Sequence, residues 1–315
     1  VSVLQRFGGR APVDVRTTLD SGAQLAPERT LDGVVEPAAL VAIEAASGEI
    51  RAVVSRPVDD FARALLGAYP PGSTFKTVTA AAFLADGGSA STSISCPGRV
   101  VVTGRPFENA FGALGTVSLQ TAYARSCNTA FVNVSESLPD GSLDAMASVF
   151  GFDTAYRIGL LAEGGSVPDP IDDADLAASA IGQGRVTASP LHMASVAAAV
   201  ADGTWRQPQL VLDPAPDEAL DPNPLPAEIV DDLQALMRAT VTSGTGTALQ
   251  QVGGDAAGKT GSAEFGDEDP PETHAWFIGY RDGLAVAVLV EGGGSGGAVA
   301  APLAADFFAA LDAAA

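Results

Sequence analysis

The sequence predicts a mixed α/β chain of the α+β kind: an antiparallel sheet flanked by helices, with an all-helical portion inserted into it. Three observations carry this prediction. Strand-like apolar runs gather before residue 56 and after residue 256, and helical periodicity fills the stretch between them. The connections between the terminal strands are too short for parallel crossovers, so those strands run antiparallel. With 315 residues, 47% of them hydrophobic, the chain can bury a sizeable core. It divides as one domain, 1–315, with a sheet portion at about 10–72 and 225–315 and a helical portion at about 73–224.

The elements follow in order. "VDVRTTLD" (13–20) reads as a strand, and a helix runs from about Ser21 to Leu31. "ALVAIEAASGEIRAVVS" is two apolar runs around Ser47-Gly48, a β-hairpin signal. From Ser73 to about Asp86 the pattern is helical, with Gly72 before it and Gly87-Gly88 after it. Residues 116–205 are mostly helical, broken at Pro139-Asp140-Gly141 and at "VPDP" (167–170). A helix spans Pro226 to about Val241, strands return at 256–265, 274–281 and 284–291, and Ala298 to Ala313 closes the chain as a helix. The acidic "GDEDPPE" (266–272) reads as a solvated hairpin loop.

Composition narrows the function classes. A net charge of −21 excludes nucleic acid, which needs a basic face, and argues against docking on anionic lipid. No apolar run is long enough to span a bilayer. The chain opens on valine, which leaves open whether a targeting segment precedes it. Two cysteines, Cys96 and Cys127, cannot make a disulfide scaffold; they could pair if the chain is exported, and spacing leaves that open. With two histidines and no ligand-like spacing, neither a metal nor a cofactor is expected.

The cations are unevenly chosen. Of 17 Lys and Arg residues only Lys76 and Lys259 are lysine. Lys76 stands three residues after Ser73 in "PPGSTFKTVTA", and on a helix those positions share a face. A serine hydroxyl becomes a nucleophile when a nearby base takes its proton. A lysine can be that base only when neutral, which burial or a neighbouring cation achieves. Arginine stays protonated and cannot serve. Alone, a Ser-x-x-Lys match is a chance-level signal.

The second lysine adds context. Lys259 opens Lys259-Thr260-Gly261-Ser262 in "AGKTGSAEF", and between the two lysines "RSCNTAF" places Ser126 and Asn128 at a helix junction. The same glycines give a literal nucleotide-loop match, Gly253-x4-Gly258-Lys259-Thr260. That loop needs a helix after it, whereas Gly261 and then "SAEFGDEDPP" follow, so the match is a decoy.

Ser-x-x-Lys, Ser-x-Asn and Lys-Thr-Gly in that order form the signature of penicillin-binding proteins and class A β-lactamases. With "TTLD", "CPG", "GQG", "SPLHMA" and "HAWFIGY" beside it, the chain resembles, over nearly its whole length, the transpeptidase domain of class B penicillin-binding proteins. The resemblance implies acyl transfer from a D-Ala-D-Ala stem peptide, cross-linking peptidoglycan and inhibited by β-lactams. It implies Ser73 as nucleophile, Lys76 as its base, Ser126 as proton relay, and Asn128 holding Lys76 and the substrate amide. The backbone amides of Ser73 and Ser262 would form the oxyanion hole, and Lys259, Thr260, Gly261 and Ser262 would hold the terminal carboxylate. It further implies a membrane-anchored protein on the extracytoplasmic face, partnered with cell-wall synthesis machinery. Cys127 is expected to point away from the cleft.

Two alternatives stay open at this point: a class D-like β-lactamase, and a non-enzymatic β-lactam sensor. Glu163 in "LLAEGGSV" does not match the class A deacylation motif, and Asn128 stands where class D enzymes carry an apolar residue. Both departures favour the transpeptidase. His192 and His274 read as structural, and Arg185 after "GQG" as a surface guanidinium.

Overall fold

The computed structural model describes residues 14–58, 61–215, 220–266, 268 and 270–313. The main elements are helix α1 (Ser21–Thr30), strands β1 (Ala38–Glu44) and β2 (Ile50–Arg56), and helices α2 (Lys76–Ala85), α3 (Leu119–Ala124), α4 (Asn128–Ser137), α5 (Pro190–Asp202) and α6 (Ala227–Ser243). Strands β3 (Ala257–Phe265), β4 (Glu272–Arg281) and β5 (Leu284–Val290) and helix α7 (Ala300–Asp312) complete them. The five strands make one antiparallel sheet in the order β3-β4-β5-β1-β2, so both ends of the chain contribute.

The strands read as unbroken apolar runs because both faces of the sheet are covered. In β5, Ala285, Ala287 and Leu289 join the core shared with α5 and the middle of the chain. Val286, Val288 and Val290, pointing the other way, join the core under α7. The period-two alternation survives, but both phases are hydrophobic. On the β2 edge, the Gln24 side chain of α1 donates to Val53 O at 3.0 Å and accepts from Val53 N at 2.9 Å. A helix thereby blunts an edge that would otherwise template aggregation.

Local differences from the sequence reading have physical causes. The strand expected over 13–20 contracts to Arg16–Thr17, paired with Asp213 and Val211; Val13 lies outside the described residues. Thr18 Oγ1 donates to Ile50 O, and Asp20 turns to accept Ala23 N–H as the N-cap of α1. The helix expected from Ser73 begins as a 3₁₀ turn, Gly72–Phe75, and becomes α-helical at Lys76. Two-stranded ribbons are set among the central helices: Ser93–Cys96 with Gly115–Ser118, and Arg99–Val102 with Arg105–Glu108. Of the acidic loop, residues 267 and 269 lie outside the described residues.

Cys96 and Cys127 are joined in a disulfide that ties the first ribbon to the start of α4. The bridge packs against Ala122 and Ala130 in a small buried cluster. His192 is fully buried on α5, with Nδ1 at 2.6 Å from the Tyr156 hydroxyl; burial pushes its pKa down to about 3 and keeps it neutral. His274 stacks on Phe265 with ring centroids 3.9 Å apart. Arg185 pairs with Asp175 at 2.6 Å.

Candidate active site

The Ser-x-x-Lys, Ser-x-Asn and Lys-Thr-Gly segments lie on three separate elements that converge on one cleft of about 530 Å³. Ser73 sits partly exposed in the 3₁₀ turn before α2, Ser126 between α3 and α4, and Thr260 and Ser262 on β3, at the edge of the sheet.

The nucleophile turn is held from behind. Gly72 has a φ of +52°, which only glycine adopts without strain, and its N–H donates to Gly182 O at 2.8 Å. A Cβ on Gly182 would lie 2.1 Å from Gly72 O, so the first glycine of "GQG" is there for close approach. Trp276 Nε1–H donates to Pro70 O at 3.1 Å, and Tyr69 pairs with Ala188 through both backbone groups. The turn thus rests on β4 and on the segment before α5.

Lys76 is fully buried. Its Nζ donates to Asn128 Oδ1 at 2.6 Å and to Ser126 O at 2.9 Å, with Ser126 Oγ at 3.4 Å. Lys259, also fully buried, donates to Ser126 Oγ and to Thr260 O, each at 2.9 Å. Among the described residues neither amine has a carboxylate partner. Burial first, and then the neighbouring Lys259, hold Lys76 well below the ordinary lysine range. Burial brings Lys259 down to about 7.

Donor counting gives this arrangement chemical content. A neutral amine has two N–H bonds and one lone pair, and two carbonyl-type acceptors occupy both N–H bonds of Lys76. Its lone pair is left for a hydroxyl proton. Ser126 Oγ accepts from Lys259 and can pass its own proton toward Lys76. Ser126 itself is held at φ +60°, a backbone conformation rare for a residue with a side chain and concentrated at functional sites.

Asn128 is held in turn: its Nδ2 donates to Glu108 O at 2.9 Å. The neighbouring Asn109 accepts Thr129 N–H at 3.1 Å and donates to Pro97 O at 2.8 Å, which sets the loop beside the cleft. Asn109 and Thr245, both lining the cleft, were missed in the sequence. Asn109 offered no signal short of the fold, whereas the small-residue run "SGTGT" (243–247) marked a close approach after α6. Lys259 lies inside a nine-residue strand with no helix after it, which disposes of the nucleotide-loop match. Glu163 is outside the cleft, with its backbone bonded to Leu65 and to the Ser189 hydroxyl.

Known proteins resemble this chain over most of its length. The family model described as penicillin binding protein transpeptidase domain matches residues 38–309. The chain is 35% identical to the peptidoglycan D,D-transpeptidase PbpA of Mycolicibacterium smegmatis, over 94% of this chain and 71% of that protein. It is 27% identical to the peptidoglycan D,D-transpeptidase MrdA of Acinetobacter baumannii, over 95% of this chain and 54% of that one. Among solved structures, penicillin-binding protein A from M. tuberculosis as its ceftriaxone acyl-enzyme superposes with a TM-score of 0.85 at 30% identity, covering 94% of this chain and 79% of that one. Its penicillin G acyl-enzyme gives 0.83 at 31% identity, covering 94% and 80%.

Proposed function

The chain belongs to the penicillin-binding protein transpeptidase family, and from that premise we propose that its peptidoglycan D,D-transpeptidase activity runs through an acyl-enzyme on Ser73. Ser73 Oγ attacks the carbonyl between the two D-alanines of a stem peptide while its proton passes to the Lys76 lone pair. The backbone amides of Ser73 and Ser262 receive the tetrahedral oxyanion. Collapse breaks the C–N bond; the proton on Lys76 travels through Ser126 to the departing D-Ala amine, and the acyl group stays on Ser73. An amine from a neighbouring stem peptide then attacks the ester, giving up its proton along the same path and restoring the Ser73 hydroxyl. Asn128 holds Lys76 and the substrate amide.

Lys259, Thr260, Gly261 and Ser262 hold the terminal carboxylate, for which a cation flanked by hydroxyls is suited. The donor peptide lies along the edge strand β3 by β-addition. The observation that carries this reading is the fully buried Lys76 with both N–H bonds occupied and no carboxylate partner among the described residues.

The family's substrate places the activity in the cell envelope. Work on the extracytoplasmic face of the membrane fits the Cys96–Cys127 disulfide, since such bridges persist in oxidising compartments. Among the described residues no helix is long and apolar enough to cross a membrane, so an anchor would lie outside them. A structural neighbour at 27% identity comes from a peptidoglycan synthase complex that coordinates polymerization and crosslinking, which supports a partnership with a cell-wall polymerase.

Intact-protein mass spectrometry during incubation with benzylpenicillin tests the reading. A lasting adduct of one drug molecule, absent from Ser73→Ala, is the expected result. Drug consumed without a lasting adduct would make the protein a β-lactamase, and an adduct retained by Ser73→Ala would remove Ser73 from its role.

A further inference from the structure

Both hydroxyls of the Lys-Thr-Gly-Ser segment are met by groups outside the three motifs. Thr260 Oγ1 lies 2.5 Å from Thr245 Oγ1. Ser262 Oγ accepts the N–H of Gly296 at 3.2 Å.

Neither contact is loosely held. Thr245 N–H donates at 3.1 Å to the carbonyl of Ala124, two residues before Ser126. A Cβ on the preceding Gly244 would lie 2.3 Å from that same carbonyl. A Cβ on Gly296 would come within 2.1 Å of Gly261 O and 2.3 Å of Trp276 O, and one on Gly297 within 2.7 Å of Thr245 O. The loop after α6 and the glycine-rich loop after β5 therefore touch each other, and both press on β3.

A hydroxyl has one proton to give and two lone pairs with which to accept. In the Gly296–Ser262 bond the direction is forced, because an amide can only donate; Ser262 keeps its proton for another acceptor. The Thr245–Thr260 bond has two possible directions. Thr260 faces the cleft, and if it gave its proton to Thr245 it would present only lone pairs to an anion. Donation from Thr245 leaves the Thr260 proton for the cleft and, by polarising the hydroxyl, strengthens it as a donor.

We propose that Thr245 is a positioning residue that, together with the Gly296 N–H, turns both strand hydroxyls into donors facing the cleft and so completes the seat for the substrate carboxylate. The proposal rests on the carboxylate role assigned above to Lys259, Thr260 and Ser262. Through its bond to Ala124, Thr245 also couples that seat to the turn bearing Ser126.

The test compares acylation rates for benzylpenicillin and its methyl ester, which keeps the β-lactam and lacks the anion. The full chain is used as wild type, Thr245→Val, Thr245→Ser and Thr260→Val. In Thr245→Val the acid-to-ester rate ratio is expected to fall about tenfold, the worth of weakening one hydrogen bond to a charged group, while Thr245→Ser stays within about twofold of wild type. Thr245→Ala, which adds no new bulk, reads the same loss if the valine variant does not fold. A role limited to holding the loop would lower both rates together and leave the ratio unchanged, overturning the proposal. Thr260→Val separates the two levels of the argument. If it leaves the ratio at the wild-type value, the carboxylate seat is wrong and the proposal falls with it. If it collapses the ratio while Thr245→Val does not, the positioning role alone is overturned.

Discussion

Replacing Lys76 by methionine separates the base from the space it fills. The two side chains are of similar length, and Lys76 is fully buried, so methionine occupies the channel without bringing a titratable group. Two acceptors lose their donor, Asn128 Oδ1 at 2.6 Å and Ser126 O at 2.9 Å. Left unsatisfied, each costs about 1–3 kcal/mol. Removing a buried amine works in the opposite direction, because desolvation is the largest cause of its depressed pKa. The melting temperature should therefore stay close to wild type. Acylation should not: a positioned general base contributes about 10²–10⁴-fold, or about 3–5 kcal/mol of barrier. The assay is the acylation rate with benzylpenicillin, followed by intact mass from acidic to alkaline pH. In wild type the rate rises with pH as Lys76 loses its proton, and in Lys76→Met that limb is gone. A folded variant acylating within about tenfold of wild type, with the same pH dependence, would refute Lys76 as the base.

Three more outcomes follow from named contacts. Gly182→Ala would put a Cβ 2.1 Å from Gly72 O and displace the nucleophile turn, so acylation should fall by about tenfold or more in a protein that still melts cooperatively; a wild-type rate would show that the turn is not held by that contact. Cys96→Ser with Cys127→Ser opens a bridge spanning 31 residues, and should cost about 3–4 kcal/mol in a denaturant titration; a loss below about 1 kcal/mol would contradict the chain-entropy account. Lys259 has a folded pKa of about 7 against an ordinary 10.5, so the unfolded state binds more protons between those values and the group adds stability as pH rises through that window. Unfolding midpoints at pH 7 and 9 should therefore rise less steeply in Lys259→Met than in wild type, and equal slopes would refute a Lys259 pKa lowered by burial.

Much of the site was legible because its chemistry demands rare residue types at fixed local spacings. Ser73 and Lys76 are linked by a helical turn, and Lys76 stands out in a chain that otherwise uses arginine. The strands 256–265, 274–281 and 284–291 were readable because short connections fix their pairing, and the observed β3, β4 and β5 begin and end within two residues of those bounds. What escaped depends on contacts distant in sequence. The bond from Thr245 to Thr260 joins a loop to a strand across 15 positions, and the Asn109–Thr129 contact spans 20. The ribbons at 93–118 are short and half-exposed, so their alternation is too brief to register as strand. Whether Cys96 and Cys127 bond was undecidable from spacing, because a disulfide answers to Cα separation, here 6.3 Å.

The central claim is that Ser73 transfers an acyl group from one peptide to another. Its most direct test supplies a stem peptide ending in D-Ala-D-Ala together with a second peptide bearing a free side-chain amine, and measures released D-alanine and cross-linked product together. The account predicts one D-alanine released for each cross-link formed, with both lost in Ser73→Ala. D-alanine released with no cross-link at any acceptor concentration, or cross-links formed by Ser73→Ala, would contradict it.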